Sequence, residues 1–174
     1  MNRIRSLSIA LAVAALAGSG AAQTKLGCIN AQEVFEKSSE GKKVTARLQE
    51  AERQNTTALA RLDDEIRALQ TKLQAQKLTL TEVAAAQLTS DLDKKTIERK
   101  RKAEDAYAAW NELRDRLFQK LQEELLAIIG QLGKENGYDL IIDVAKSGAA
   151  YWSPAVDLSV EVIKRYDASK ASVK

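Results

Sequence analysis

Histidine is absent from the 174-residue chain, and proline, cysteine and methionine occur once each. Without imidazole there can be no Ser-His or Cys-His nucleophile pair and none of the usual zinc ligand sets. The single proline, Pro154, lies near the C-terminus, so nothing in the long middle of the chain forbids helix. Glycine is nearly missing there too: from Ser39 to Asn136 only Gly41, Gly130 and Gly133 interrupt the pattern. A lone Cys28 cannot close an internal disulfide, and it reads as a small hydrophobe buried in a strand. Aromatic residues make up 5% of the chain and charged residues 29%, a mixture that suits solvated helical arms better than one large core.

Familiar catalytic motifs are missing or misleading. No Walker-type phosphate loop follows a strand, so nucleotide hydrolysis is not expected. Ser39-Glu40-Gly41-Lys42 fits an S-x-x-K pattern, but its partner motifs are absent and a helix-capping serine explains it. The sequon Asn55-Thr56-Thr57 falls in mid-helix at a packing seam and is discounted. The sequence therefore predicts a protein that is not an enzyme, with no catalytic residue, metal site or cofactor.

The N-terminus reads as a secretory signal. Arg3 and Arg5 precede an apolar core from Leu7 to Ala17, and Gly20-Ala21-Ala22 supplies the small residues of a cleavage site. As a helix that core would reach only about 17 Å, too short to span a bilayer. Cleavage after Ala22 would release residues 23–174 into an oxidising, extracytoplasmic compartment. Lipidation at Cys28 is disfavoured, because Lys25 stands where such a signal wants an apolar residue. Of the 27 basic residues, 25 remain without Arg3 and Arg5, against 24 acidic ones. A net charge of +1 gives no reason to expect nucleic acid as a partner.

Two long helices fill the middle of the chain. In the first, Val44, Leu48, Ala51, Asn55, Ala58, Leu62, Ile66, Leu69 and Leu73 recur every three or four positions, as heptads with a stutter near Leu62 and Ile66. Ser38 or Ser39 can cap its start. A reversal is expected near Leu78 to Thr81, with Thr81 as N-cap and Glu82 in the first turn, or Thr79 and Glu82 as a capping box. The second helix carries Leu88, Leu92, Ala103, Ala106, Trp110, Leu113, Leu117, Leu121, Leu125, Ile128 and Leu132, and Asn136-Gly137 stops it. Short β segments flank this hairpin. Lys25–Asn30 and Tyr138–Val144 read as strands, and Ala149–Trp152 as a third that Pro154 ends. A short helix over Asp157–Tyr166 follows, and residues 167–174 read as a disordered tail.

The expected fold class is α+β, mainly α. A β body formed by residues 23–38 and 137–166 carries a long antiparallel coiled-coil hairpin arm over residues 39–136. Three short strands cannot close a sheet, and their edges would expose unpaired backbone groups. Oligomerisation is the expected remedy, with Leu26, Cys28, Ile29, Leu140, Ile141, Ile142 and Tyr151 in the shared body.

Candidate binding residues lie on the second helix. Lys94, Lys95, Arg99, Lys100, Arg101 and Lys102 form a basic run that could meet acidic clients, anionic lipid or lipopolysaccharide. If the hairpin turns near residue 80, the same run falls beside Asp63, Asp64 and Glu65, and cross-helix pairing on a solvated face is the plainer account. Tyr107, Trp110 and Phe118, with Leu113 and Leu117, form an apolar cluster that is either seam packing or a wall for apolar segments of another chain.

Several segments together resemble one family. KLGCIN, VFEKSSEGKK, LTEVAAAQL, KENGYDLIIDV, AAYWSPAVDLS and EVIKRY occur in the order found in the Skp/OmpH family of periplasmic chaperones. The resemblance covers essentially all of residues 23–174, whereas the arm resembles the family in periodicity and length alone. It implies a jellyfish-like homotrimer with a small β-barrel body, and helical tentacles around a cavity. It also implies an ATP-independent holdase that keeps unfolded outer-membrane proteins soluble in the periplasm. Cys28 stands where the family strand usually has an aliphatic residue, and the near-neutral charge departs from the family's basic character. The competing function is a non-catalytic coiled-coil spacer or adaptor of the cell envelope.

Overall fold

The computed structural model describes residues 24–76 and 79–171. The expected signal over residues 1–22, Leu78 of the expected reversal and the last three residues of the expected tail lie outside them. The elements in order are β1 (Leu26–Ile29), α1 (Ala31–Lys37), α2 (Ser39–Ala75), α3 (Glu82–Asn136), β2 (Leu140–Asp143), α4 (Val144–Ser147), a 3-10 turn at Pro154–Val156, and α5 (Ser159–Ala171).

Caps set the boundaries of the hairpin. Ser38 ends α1 and starts α2, its hydroxyl accepting the Gly41 N–H at 3.1 Å. Gly41 is required for this junction, because a Cβ there would lie 1.7 Å from the Phe35 carbonyl oxygen. At the far end Thr81 caps α3 through the Ala84 N–H, the first of the two expected arrangements. Gly137 ends α3 at φ 65°, a left-handed conformation that glycine adopts without steric cost. With 37 and 55 residues, α2 and α3 are about 55 and 80 Å long at ~1.5 Å per residue. Every apolar position expected along the two helices is buried or half-buried.

The whole hairpin serves as the crossover between two parallel strands, which no short turn could connect. Leu26 pairs with Leu140, Gly27 with Ile141, Cys28 with Ile142 and Ile29 with Asp143. Lys25 fastens the start of β1, donating from its backbone N–H to Asp139 at 2.7 Å and from its ammonium to the Asn136 carbonyl at 2.7 Å.

The sheet departs from expectation at its third strand. Ala149–Trp152 forms none in this chain, and a single bridge between Cys28 and Asp157 occupies that edge of β1 instead. Two turns divert the chain: Gly148 is left-handed at φ 70°, and Ser153 caps the 3-10 turn that opens with Pro154. The tail differs as well. Instead of a disordered stretch from Asp167, α5 continues to Ala171, because Asp167 accepts the Ser39 N–H at 2.9 Å and Lys170 pairs with Glu124 at 2.6 Å.

The core sits where α1, the body end of the hairpin and α5 meet. Ile29, Val34, Val44, Leu121, Leu125, Leu132, Val162 and Tyr166 form it. Val34 and Val162 are completely buried. Two polar side chains buried among them, Ser38 and Ser159, are both used: the Ser159 hydroxyl accepts the Asn30 N–H at 2.8 Å.

Candidate functional site

A parallel register places paired side chains on one face of the sheet. Ile29 and Ile141 point inward, where Ile29 belongs to the core and Ile141 packs against it. The other face carries Leu26, Cys28, Leu140 and Ile142. Cys28 is buried, but Leu26, Leu140 and Ile142 are 49%, 51% and 40% exposed, and Tyr151 is exposed as well. Of the seven residues expected in a shared body, Ile29 and Ile141 thus hold this chain's own core and four offer apolar surface. Burial, then the Asp157 carboxylate, pushes the Cys28 thiol above its ordinary range, so it stays protonated and unreactive.

Along the arm the basic run divides into three kinds of cation. Lys95 reaches Glu65 across the hairpin at 2.8 Å and Glu98 on its own helix at 3.1 Å. Arg99 grips Asp63 through two nitrogens at 2.9 and 3.2 Å, and this hydrogen bonding holds the Asp63 carboxyl below its ordinary range. Lys94 and Lys100 pair with Asp91 and Glu104 along their own helix at 3.7 and 4.0 Å. Arg101 and Lys102 are exposed and have no ion-pair partner among the described residues. Asp64 pairs with Arg67 on its own helix at 3.4 Å, and with no cation of the run among the described residues.

The three aromatic candidates are equally distinct. Trp110 lies in the seam, its indole N–H aimed at the Leu48 carbonyl at 3.4 Å. Phe118 stacks on Phe35 with ring centroids 4.8 Å apart, which ties α3 to α1. Tyr107 is 71% exposed and is the free aromatic of the arm. Farther out, Ile97 and Val83 are 51% and 82% exposed. Among the described residues the arm therefore offers isolated apolar side chains between charges, with no continuous greasy stripe.

Periodicity could not find the contacts that fix the arm to the body. Tyr166 donates its hydroxyl to Glu124 at 2.6 Å, and Arg165 binds both Glu135 of α3 and Glu161 of its own helix. Glu124 and Tyr166 are 42 residues apart, and no local signal joins them. The phenol is forced above its ordinary range by burial and by its bond to Glu124, so it remains a donor. The nearest sequence clue is the spacing of Val162 and Tyr166, which marks the inner face of α5.

Among the described residues no group of histidine, cysteine, aspartate or glutamate is placed to hold a metal ion, and no helix is long and apolar enough to cross a membrane. The model of the family described as outer membrane protein (OmpH-like) matches residues 25–166. The chain belongs to the OmpH family. Within reach of the family, a protein of Yersinia enterocolitica named chaperone protein Skp is 25% identical over 162 residues, covering 91% of this chain and 94% of its own. The crystal structure of an OmpH-like outer membrane chaperone from Caulobacter crescentus superposes with a TM-score of 0.77 at 21% identity, covering 86% of this chain and 88% of that one. That likeness establishes the OmpH-like fold for the small sheet and its helical arm.

Proposed function

We propose that this OmpH-family protein is an ATP-independent holdase that binds unfolded outer-membrane proteins in the periplasm and keeps them soluble. The observation that carries the reading is the arm: a charged two-helix hairpin on which Val83, Ile97 and Tyr107 stand exposed and apart. Many weak, separated apolar contacts suit promiscuous and releasable binding better than one continuous patch would. Family membership and a relative named as a chaperone support the same reading. Tyr107 and the less committed cations Lys94, Lys100, Arg101 and Lys102 are the proposed client contacts, with Lys95 and Arg99 bracing the hairpin. Arg101 and Lys102 would also meet the headgroup of an anionic lipid or lipopolysaccharide.

The proposed assembly is a homotrimer. Leu26, Leu140, Ile142 and Tyr151 would be covered by neighbouring copies, whose strands would complete the sheet into a barrel body. The signal over residues 1–22 would direct export and be removed. Light scattering on residues 23–174, alone and after rapid dilution of a urea-unfolded outer-membrane β-barrel, tests the reading. A trimer that gains the mass of one client and prevents its precipitation is the expected result. Aggregation of the client beside an unchanged helical oligomer would instead leave the envelope spacer as the function.

A further inference from the structure

At the root of the arm, α2, α3 and α5 surround an open cleft of about 210 Å³. Its apolar floor is made by Val44, Leu117 and Leu121. A closed apolar cavity of roughly 150 Å³ already accepts a benzene ring, so a leucine or phenylalanine side chain fits this volume. The acids around the cleft are already engaged. Glu124 receives the Tyr166 hydroxyl on one oxygen and the Lys170 ammonium on the other, each at 2.6 Å. Glu40 holds Lys43 at 2.6 Å. Arg47 from α2 and Lys120 from α3 remain at the rim, both exposed and without an ion-pair partner among the described residues.

We propose that this cleft is a docking point for extended client segments, seating one apolar side chain on its floor while Arg47 and Lys120 bind a neighbouring carboxylate. The inference rests on the holdase reading and names the chemistry the body end of the arm selects. Strands of outer-membrane barrels alternate apolar and polar residues, so an unfolded client offers such apolar–acidic neighbours repeatedly. Charge complementarity fixes the partner: with Glu40 and Glu124 neutralised by Lys43 and Lys170, the rim is net positive.

The probe is a fluorescent ten-residue peptide alternating leucine with serine and aspartate, compared with a version carrying asparagine for each aspartate. Anisotropy titrations use the protein lacking residues 1–22 and the double variant Arg47→Gln/Lys120→Gln, whose helix content is checked by circular dichroism. Wild type should bind the aspartate peptide about three- to tenfold more tightly than the asparagine peptide, as expected for two exposed ion pairs. The double variant should bind both peptides alike, at the wild-type affinity for the asparagine peptide, and 0.5 M salt should narrow the wild-type preference. Equal binding of both peptides by wild type, no binding of either, or a preference that survives in the double variant would overturn the proposal. Solubility of a diluted full-length barrel in the presence of wild type is scored in parallel. Its failure counts against the holdase reading, whereas success without peptide discrimination counts against the cleft alone.

Discussion

The body and the arm of this protein are joined by continuous helices, yet they answer the packing problem in opposite ways. In the body a third layer is available: α1 and α5 close over the hairpin, so Val34 and Val162 are wholly buried, Tyr166 is 1% exposed and Leu132 is 2% exposed. In the arm two helices share one seam, and no third element among the described residues covers it. Between Val44 and the reversal, and from there to Leu121, Leu62 at 9% is the one buried side chain among the described residues. Ion pairs such as Arg99–Asp63 flank the seam without drying it. Local opening follows buried apolar contacts, so the body should hold the global stability and the arm should open at low cost. Under the proposed holdase function, a hairpin kept marginal in this way would reshape itself around different clients.

The most direct way to break this contrast is at the junction of the two regions. Gly41→Ala places a methyl group against the Phe35 backbone, which cannot withdraw as a flexible side chain would. The expected loss is about 3 kcal/mol or more, read as a collapse of the urea midpoint of the whole chain. Leu132→Ala, at 2% exposure in the core, should cost about 2–5 kcal/mol and also shift the main transition. Leu62→Ala removes the same atoms from the arm, where solvent already reaches the neighbours, and should cost no more than about 2 kcal/mol. Its signature is faster amide exchange confined to the arm, with the body transition in place. If Leu62→Ala lowers the main midpoint as far as Leu132→Ala does, arm and body unfold as one unit and the contrast is wrong.

The arm was legible because its information is local. A repeat of three and four residues, a capping threonine and a terminal glycine depend on neighbours a few positions away. The hairpin from Ser39 to Asn136 and the Arg99–Asp63 pairing follow directly once the turn is set. The body was legible only in part, because its decisive contacts join distant segments. Tyr138–Val144 contains β2, but nothing local shows that Ile141 faces the core while Leu140 and Ile142 face outward. Ala149–Trp152 has the composition of a strand and pairs with no neighbour among the described residues. Asp167 and Lys170 look like polar tail until Ser39 and Glu124 come within reach of them. The cleft between Arg47 and Lys120 needs the α5 docking to exist at all.

The smallest effect should come from protons, and it sharpens the contrast. Burial raises the Glu124 carboxyl, but hydrogen bonds from Lys170 and Tyr166 outweigh it and leave the group below its ordinary 4.5. Asp157 behaves alike: burial opposes, while Ser159 and Trp152 donate to it, and it falls below 3.8. A carboxyl depressed by folding contributes stability above its unfolded pKa, and that contribution is lost as the pH falls through its folded pKa. The body's urea midpoint should therefore be level above about pH 5 and decline below about pH 4. Tyr166 acts at the other end: its raised phenol keeps its contribution below the ordinary 10.0 and loses it only as the pH climbs through a higher folded value. Tyr166→Phe should cost about 1–2 kcal/mol at neutral pH, since Glu124 keeps Lys170 as a partner. Glu124→Gln should flatten part of the acid decline. The arm has depressed carboxyls too, Asp63 beside Arg99 and Glu50 beside Arg53. These pairs stand largely in solvent and contribute little, so the arm's amide exchange, corrected for intrinsic rates, should change less than the body's midpoint over the same range. Were the arm to lose protection in step with the body at low pH, its opening would be governed by the body's electrostatics, and the thin seam around Leu62 would not be what makes it yield.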